Sequence, residues 1–260
     1  EAGYDPEESL QEIFRQAKVD QDYVLGLDIF VALHRLLTEA ETVMSEAFEG
    51  EIQKDLVMVP VYQGAYFEPA ALDGSRRAAF YAGFTGQEAL FDMPTHIYQE
   101  TFPGRYYQSA VVNESDLPLF RKALHFPAYD QGWALYAEHL AWEMGMYVDD
   151  PNADLARLQQ ELFAAAQVVV DVGLHALGWD LPTAARYLVE QAGMDRSEAN
   201  DWVLVQIAQP GQAMAAFAGY TFTRDLRHQA EEAMGADFDL RAFHTAVLNG
   251  GSLPLPLLGG

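Results

Sequence analysis

The sequence predicts a mainly α-helical domain with a small β-sheet edging a cleft. Three observations lead there. Apolar residues recur at helical spacing through most of the chain, as in Leu25, Ile29, Leu33, Leu36, Leu37 and Val43. Two short runs, Leu56 to Tyr62 and Ala78 to Phe84, have the composition of strands instead. Glycine and proline separate the remaining helical segments, and neither a repeat nor a linker divides the chain, so residues 1–260 read as one domain.

Taken in order, a short helix is expected from about Pro6 to Ala17 and a long one from Asp20 to Phe48. The run LVMVPVY at 56–62 reads as a strand. Its Pro60 has no N–H to donate to a ladder and so implies a sheet edge. The turn-like Asp73-Gly74-Ser75 leads to the second strand, Ala78 to Phe84. Helices follow from Gln87 to Phe102, ended where Pro103-Gly104 arrives, then from Asp116 to Phe126 and from Tyr129 to Tyr147. The helix from Asp154 to Leu177 is so apolar between Phe163 and Val170 that a central place is expected. Thr183 to Gln191, Ser197 to Ala208, Gly211 to Met234 and Leu240 to Leu248 complete the set, with joins at Gly193, Pro210-Gly211, Gly235, Pro254 and Pro256.

Composition narrows the function. Half of the 260 residues are hydrophobic, enough for a substantial core and too many for disorder. The formal charge of -24 repels phosphate backbones and anionic lipid, which argues against nucleic acid and membrane surfaces as partners. No run reaches the roughly 18 apolar residues of a membrane span. The absence of cysteine removes disulfides, thiolate metal sites and a cysteine nucleophile, and leaves the redox compartment open. No signal peptide is read and the chain starts at Glu1, so a processed or truncated piece is expected. Phosphate-binding glycine loops, dinucleotide fingerprints and a Gly-x-Ser-x-Gly elbow are missing.

The most informative segment is Gln99-Glu100-Thr101-Phe102-Pro103-Gly104-Arg105-Tyr106-Tyr107-Gln108. It resembles the metallopeptidase pattern His-Glu-x-x-Pro-Gly-His-x-x-Gln with both histidines replaced. Gln131-Gly132-Trp133-Ala134 and the following residues to Tyr147 extend the likeness. So do Asp171 to Trp179, Gln209-Pro210-Gly211-Gln212-Ala213, and Phe238 to His244 with Leu253-Pro254-Leu255 beyond. Together these resemble the DUF885 family, bacterial proteins similar to zinc metallopeptidases of the gluzincin kind, over nearly the whole chain. The resemblance implies a helical, metallopeptidase-like fold and the C-terminal portion of a longer protein.

By that resemblance, the two histidines and a glutamate opening Glu-Gly-Trp-Ala would hold zinc. Here those places are Gln99, Arg105 and Gln131. A neutral amide ligates zinc poorly, and a cationic guanidinium offers no lone pair. No metal cofactor is therefore expected, although zinc would be expected of the family. Arg105 would sit where the metal charge should be and could pair with Glu100, which resembles the family's general base. Polar places near Val205-Gln206 and Ala215-Ala216-Phe217 have drifted from the family pattern as well.

Each residue has alternatives. Glu100 is either a leftover carboxylate in a salt bridge or a surviving acid/base. Glu138, seven residues after Gln131 and on its helix face, points into the cleft or supports a neighbouring helix. Tyr136, with Tyr106, Tyr107 and Tyr129, crowds the cleft. Asp171 and His175 are a capped or paired buried couple, or they contact a ligand. His96 and Glu100, at i and i+4, could share a metal, but no third ligand is evident.

The leading expectation is a catalytically silent protein that keeps a cleft for a peptide or protein, or serves as a subunit of a hetero- or homo-oligomer. The alternatives are an active peptidase with displaced ligands such as His96, Glu100 and Glu138, a metal-free acid/base enzyme using Glu100, and a purely structural scaffold. Location stays open, and an exported one is compatible with the resemblance.

Overall fold

Helix α1 (Leu10–Asp20) begins where Ser9 accepts a hydrogen bond from the Glu12 N–H, an N-cap that satisfies one of the free donors of the first turn. The computed structural model describes residues 3–5, 7–53, 55–62, 64–83 and 87–258. The expected start of this helix at Pro6 lies outside them. The long helix expected from Asp20 is corrected. Asp20 closes α1, Tyr23–Leu25 form strand β1, and α2 (Leu27–Ala47) starts beyond Gly26. The apolar stripe runs through Leu25 without a break. What takes residues 23–25 out of the helix is antiparallel pairing with residues 87–89, which no local pattern announces.

Strands β2 (Leu56–Val61), β3 (Ala65–Glu68) and β4 (Ala78–Gly83) form a three-stranded sheet in the order β2-β4-β3. β2 is parallel to β4 and β3 antiparallel to it. Pro60 lies on an edge strand, as its missing N–H requires. β3 was not anticipated; its Tyr66 stacks on Tyr81 of β4, with ring centroids 4.7 Å apart. Phe84 lies outside the described residues.

The helix expected from Gln87 to Phe102 is a short strand, β5 (Gln87–Ala89), followed by α3 (Met93–Glu100). Pro94 falls in the first turn of α3, where a missing N–H costs nothing. Then come α4 (Arg105–Glu114) and α5 (Leu119–Lys122). Pro118 and Pro127 confine α5 well inside the Asp116 to Phe126 span expected for it. After them run α6 (Pro127–Glu143), α7 (Pro151–Ala176), α8 (Leu181–Ala192), α9 (Arg196–Ala208), α10 (Gln212–Met234) and α11 (Leu240–Asn249). Aspartates 150, 180, 195 and 239 cap α7, α8, α9 and α11 through their side chains. No helix among the described residues is long and apolar enough to cross a membrane.

Helix α6 is central, with Trp133, Ala134, Tyr136, Ala137, Leu140 and Ala141 all buried. It crosses α10 where Gly132 meets Gly219. A Cβ on Gly219 would stand 1.6 Å from the Ala128 carbonyl oxygen, and one on Gly132 would stand 2.5 Å from Gly219 Cα. A second apolar cluster joins α7, α8 and α9 through Phe163, Val170, Leu188 and Val203.

The segment 244–252 ties distant parts together. Tyr129 donates to the Val247 carbonyl at 2.9 Å, Arg121 to the Gly250 carbonyl at 2.7 Å, and the Phe126 N–H to Ser252 Oγ at 2.8 Å. His244, fully buried, lies 2.7 Å from both the Ala47 carbonyl and the Tyr136 hydroxyl. The carbonyl can only accept, so Nδ1 carries the proton and Nε2 accepts from the tyrosine. That arrangement holds the neutral ring, and burial pushes its pKa down to about 4. The unfolded chain binds this proton near pH 6.5 and the folded one only near 4. Stability from this group is therefore complete above pH 6.5 and is lost as pH falls toward 4, by about 3 kcal/mol in all. Urea unfolding of the wild type and of His244→Gln across pH 7 to 4 should show the loss between pH 6.5 and 4.5 in the wild type only. Parallel curves would rule it out.

Candidate functional site

The chain between α3 and α4 builds the site. Gln99 and Glu100 sit on the last turn of α3 and Arg105 opens α4. The Trp133 indole of α6 donates to the Pro103 carbonyl at 3.1 Å and fixes the connection from below. Gly104 is required by packing, because a Cβ there would stand 1.8 Å from the Gln99 carbonyl oxygen. The result brings residues 99 and 105 to one wall.

Arg105 Nε donates to Glu100 Oε1 at 3.1 Å, with the two side chains 32% and 17% exposed. Neither Nη atom of Arg105 makes a hydrogen bond among the described residues. Gln99, Arg105 and Gln131 line one cavity of about 220 Å³ between α3, α6, α7, α9 and α10. Arg105 and Gln131 also border a larger cavity of about 400 Å³, whose far side is Phe67 of β3 with Pro69, Ala70 and Leu72 just after it. The small sheet does edge a cleft, through β3 and the residues that follow it.

The smaller cavity is lined by glutamines. Beside Gln99 and Gln131 stand Gln160, Gln167, Gln206, Gln209 and Gln212, with Trp202 and Phe217 as aromatic walls. Gln206 Nε2 donates to Gln167 Oε1 at 3.1 Å, while Gln206 Oε1, on a residue only 4% exposed, has no partner among the described residues. Although 39 of the 260 residues are Asp or Glu, no carboxylate is among the described residues that line this cavity.

The other residues singled out from the sequence lie elsewhere. Tyr136 is corrected: five residues from Gln131 it is rotated by about 140° on the helix. It faces away, accepts from Arg227 at 3.2 Å, and borders a separate polar cavity with Glu143 and Arg224. Glu138 shares the face of Gln131 but turns toward α7, near Arg157 and Glu161. It is buried and its Oε1 has no partner among the described residues, and desolvation holds its carboxyl well above the usual carboxylate range. Asp171 accepts the Gly211 N–H through both oxygens at 3.1 and 2.9 Å, and His175 Nε2 lies 3.1 Å from the Gln206 carbonyl. This couple braces the start of α10 and does not line the cavity of Gln99. His96 is exposed and Glu138 buried. Among the described residues, no group of three histidine or carboxylate side chains is gathered to hold a metal.

The residues present do not fit zinc. Two primary amides and a guanidinium already engaged with Glu100 supply no imidazole, thiolate or free carboxylate to the position. Sequence reasoning missed Gln160, Gln167 and Trp202. The seven-residue spacing of the two glutamines, which puts them on one face of α7, was the available signal. Removing the acid from the ion pair leaves Arg105 a part-buried cation without its partner. Glu100→Ala should lower stability by about 1 kcal/mol, a partly exposed pair being worth little more; an unchanged melting temperature would show the pair to be energetically idle.

The architecture defines a class first, a mainly helical protein with a three-stranded mixed sheet beside a cleft. The family model of DUF885, described as a bacterial protein of unknown function, matches residues 3–260, and the chain belongs to that family. Two solved structures, each a "putative lipoprotein", share the fold. That from Colwellia psychrerythraea has a TM-score of 0.90 and 30% identity over 96% of this chain. That from Shewanella oneidensis has a TM-score of 0.84 and 22% identity over 96%. The chain spans 45% and 48% of the lengths of those two proteins. None of the curated proteins matches it.

Proposed function

We propose that this chain is a catalytically silent, metallopeptidase-like protein whose cleft holds a peptide or a segment of a partner protein. The observation that carries this reading is the Arg105–Glu100 ion pair at the wall shared by the two cavities, flanked by Gln99 and Gln131. These are the positions that a gluzincin-like reading of the family would give to the zinc ligands and the general base. A guanidinium supplies fixed positive charge there but no Lewis acidity and no activated water. Meanwhile the amide lining offers paired donors and acceptors that match a peptide main chain. An exported location accords with the two lipoprotein-like structures.

Elemental analysis of chain purified without chelator, before and after zinc is offered, tests the silent half of this reading. No retained metal and no hydrolysis of a mixed peptide pool are expected. About one zinc per chain with peptide cleavage would return the protein to the enzymes. Affinity selection from a random peptide library tests the other half. Enrichment that disappears in Gln131→Leu, Gln167→Leu is expected, and a library that passes unenriched would remove the binding role.

A further inference from the structure

In the glutamine-lined cavity of this acidic chain, Arg105 is the one cation among the described lining residues. Arg105 is anchored through Nε on Glu100, which fixes the plane of the guanidinium and leaves the Nη fork unbonded among the described residues. A fork held in this way presents two parallel N–H donors, the geometry that a carboxylate accepts in bidentate fashion. That cavity has no carboxylate among its described lining residues; Asp130, which feels the charge of Arg105, lies on the larger cavity instead.

A second observation says what accompanies the carboxylate. Gln206 Oε1, deeply buried on the same lining, is an acceptor without a donor among the described residues. Burying such an atom unpaired costs about 1–3 kcal/mol, a cost that a ligand N–H would remove. The surrounding amides can both donate and accept, as a peptide unit does, and Trp202 supplies an apolar wall. Arg105 and Gln131 stand where the two cavities adjoin, so a carboxylate held by Arg105 lies at one end of the glutamine-lined cavity.

We infer that the Arg105 fork captures the C-terminal carboxylate of a peptide whose last residues lie along the glutamine-lined cavity. This rests on the peptide-binding reading above and names the group that is recognised. The terminal residues are uncharged, because the lining offers no counter-charge other than Arg105.

Isothermal titration with three probes tests it on the intact chain. They are an N-acetylated alanine tetrapeptide with a free C-terminal carboxylate, the same peptide as its C-terminal amide, and an amidated peptide with one internal glutamate. The free acid should bind at least tenfold more tightly than either of the others. Arg105→Lys, which keeps the charge but loses the fork, should weaken the free acid about tenfold. The double variant Glu100→Gln, Arg105→Gln strands no charge, and in it the acid and the amide should bind alike. If acid and amide bind the wild type equally, the carboxylate inference falls while peptide binding stands. Binding of the internal-glutamate peptide as tight as that of the free acid overturns the terminal assignment. If no probe binds at millimolar concentration, both readings fall.

Discussion

Gly219→Ala should destabilise the protein by about 3 kcal/mol, more than a typical point substitution. The added methyl carbon would stand 1.6 Å from the Ala128 carbonyl oxygen and 2.9 Å from Gly132 Cα. Every atom it meets there is backbone, so no side chain can swing aside. Either α6 and α10 separate by an ångström or more, or one of them bends. Both responses loosen Tyr136 and Trp133, which α6 presents to the core. Separation also moves Gln131, beside Gly132, relative to Arg105, so the cleft should lose its shape before the chain unfolds. Urea unfolding gives the energy, and a parallel titration with peptide gives the cleft. A melting temperature within a degree or two of the wild type would mean that the two helices are not held at this crossing.

The triple variant Gln99→His, Arg105→His, Gln131→Glu should change from no measurable zinc binding to one zinc per chain with micromolar affinity or better, a gain of about 8 kcal/mol. Two imidazoles and a carboxylate are a sufficient protein ligand set for a zinc with an open fourth position. The three positions already line one cavity, and Glu100 stands beside them to accept a proton from a bound water. Each single reversion should bind weakly or not at all, because the remaining positions still lack donors. A folded triple variant that stays free of zinc would sever the correspondence between these positions and a metallopeptidase site.

The legibility of this molecule varied with the range of the forces involved. β2 was legible because a run of valines around Pro60 permits little but an edge strand. The stripe through α2 was legible, yet its start was not. β1 and β5 are three residues each, too short to carry a period, and they exist because they pair across more than sixty positions of sequence. For the cleft, Gln99, Arg105 and Gln131 share one cavity and Glu100 pairs with Arg105, residues that the sequence groups only through a resemblance. Tyr136 was misplaced because proximity in sequence was read as proximity in the cleft, against the helical rotation. Gln160 and Gln167 went unseen, since isolated glutamines on a helix resemble a solvated face until the neighbouring helices close over them, as did Trp202, which lies on another helix.

The ties made by residues 244–252 bear on how the chain is made in a cell. Translation delivers the N-terminal end first, at about 5–20 residues per second. Ala47, Arg121, Phe126, Tyr129 and Tyr136 all leave the ribosome well before the groups that complete them: His244, Val247, Gly250 and Ser252. For several seconds the central helix has its neighbours on one side and solvent on the other. The nascent chain must therefore wait, with apolar surface open to chaperones and proteases, until residues 244–252 have emerged to cover it.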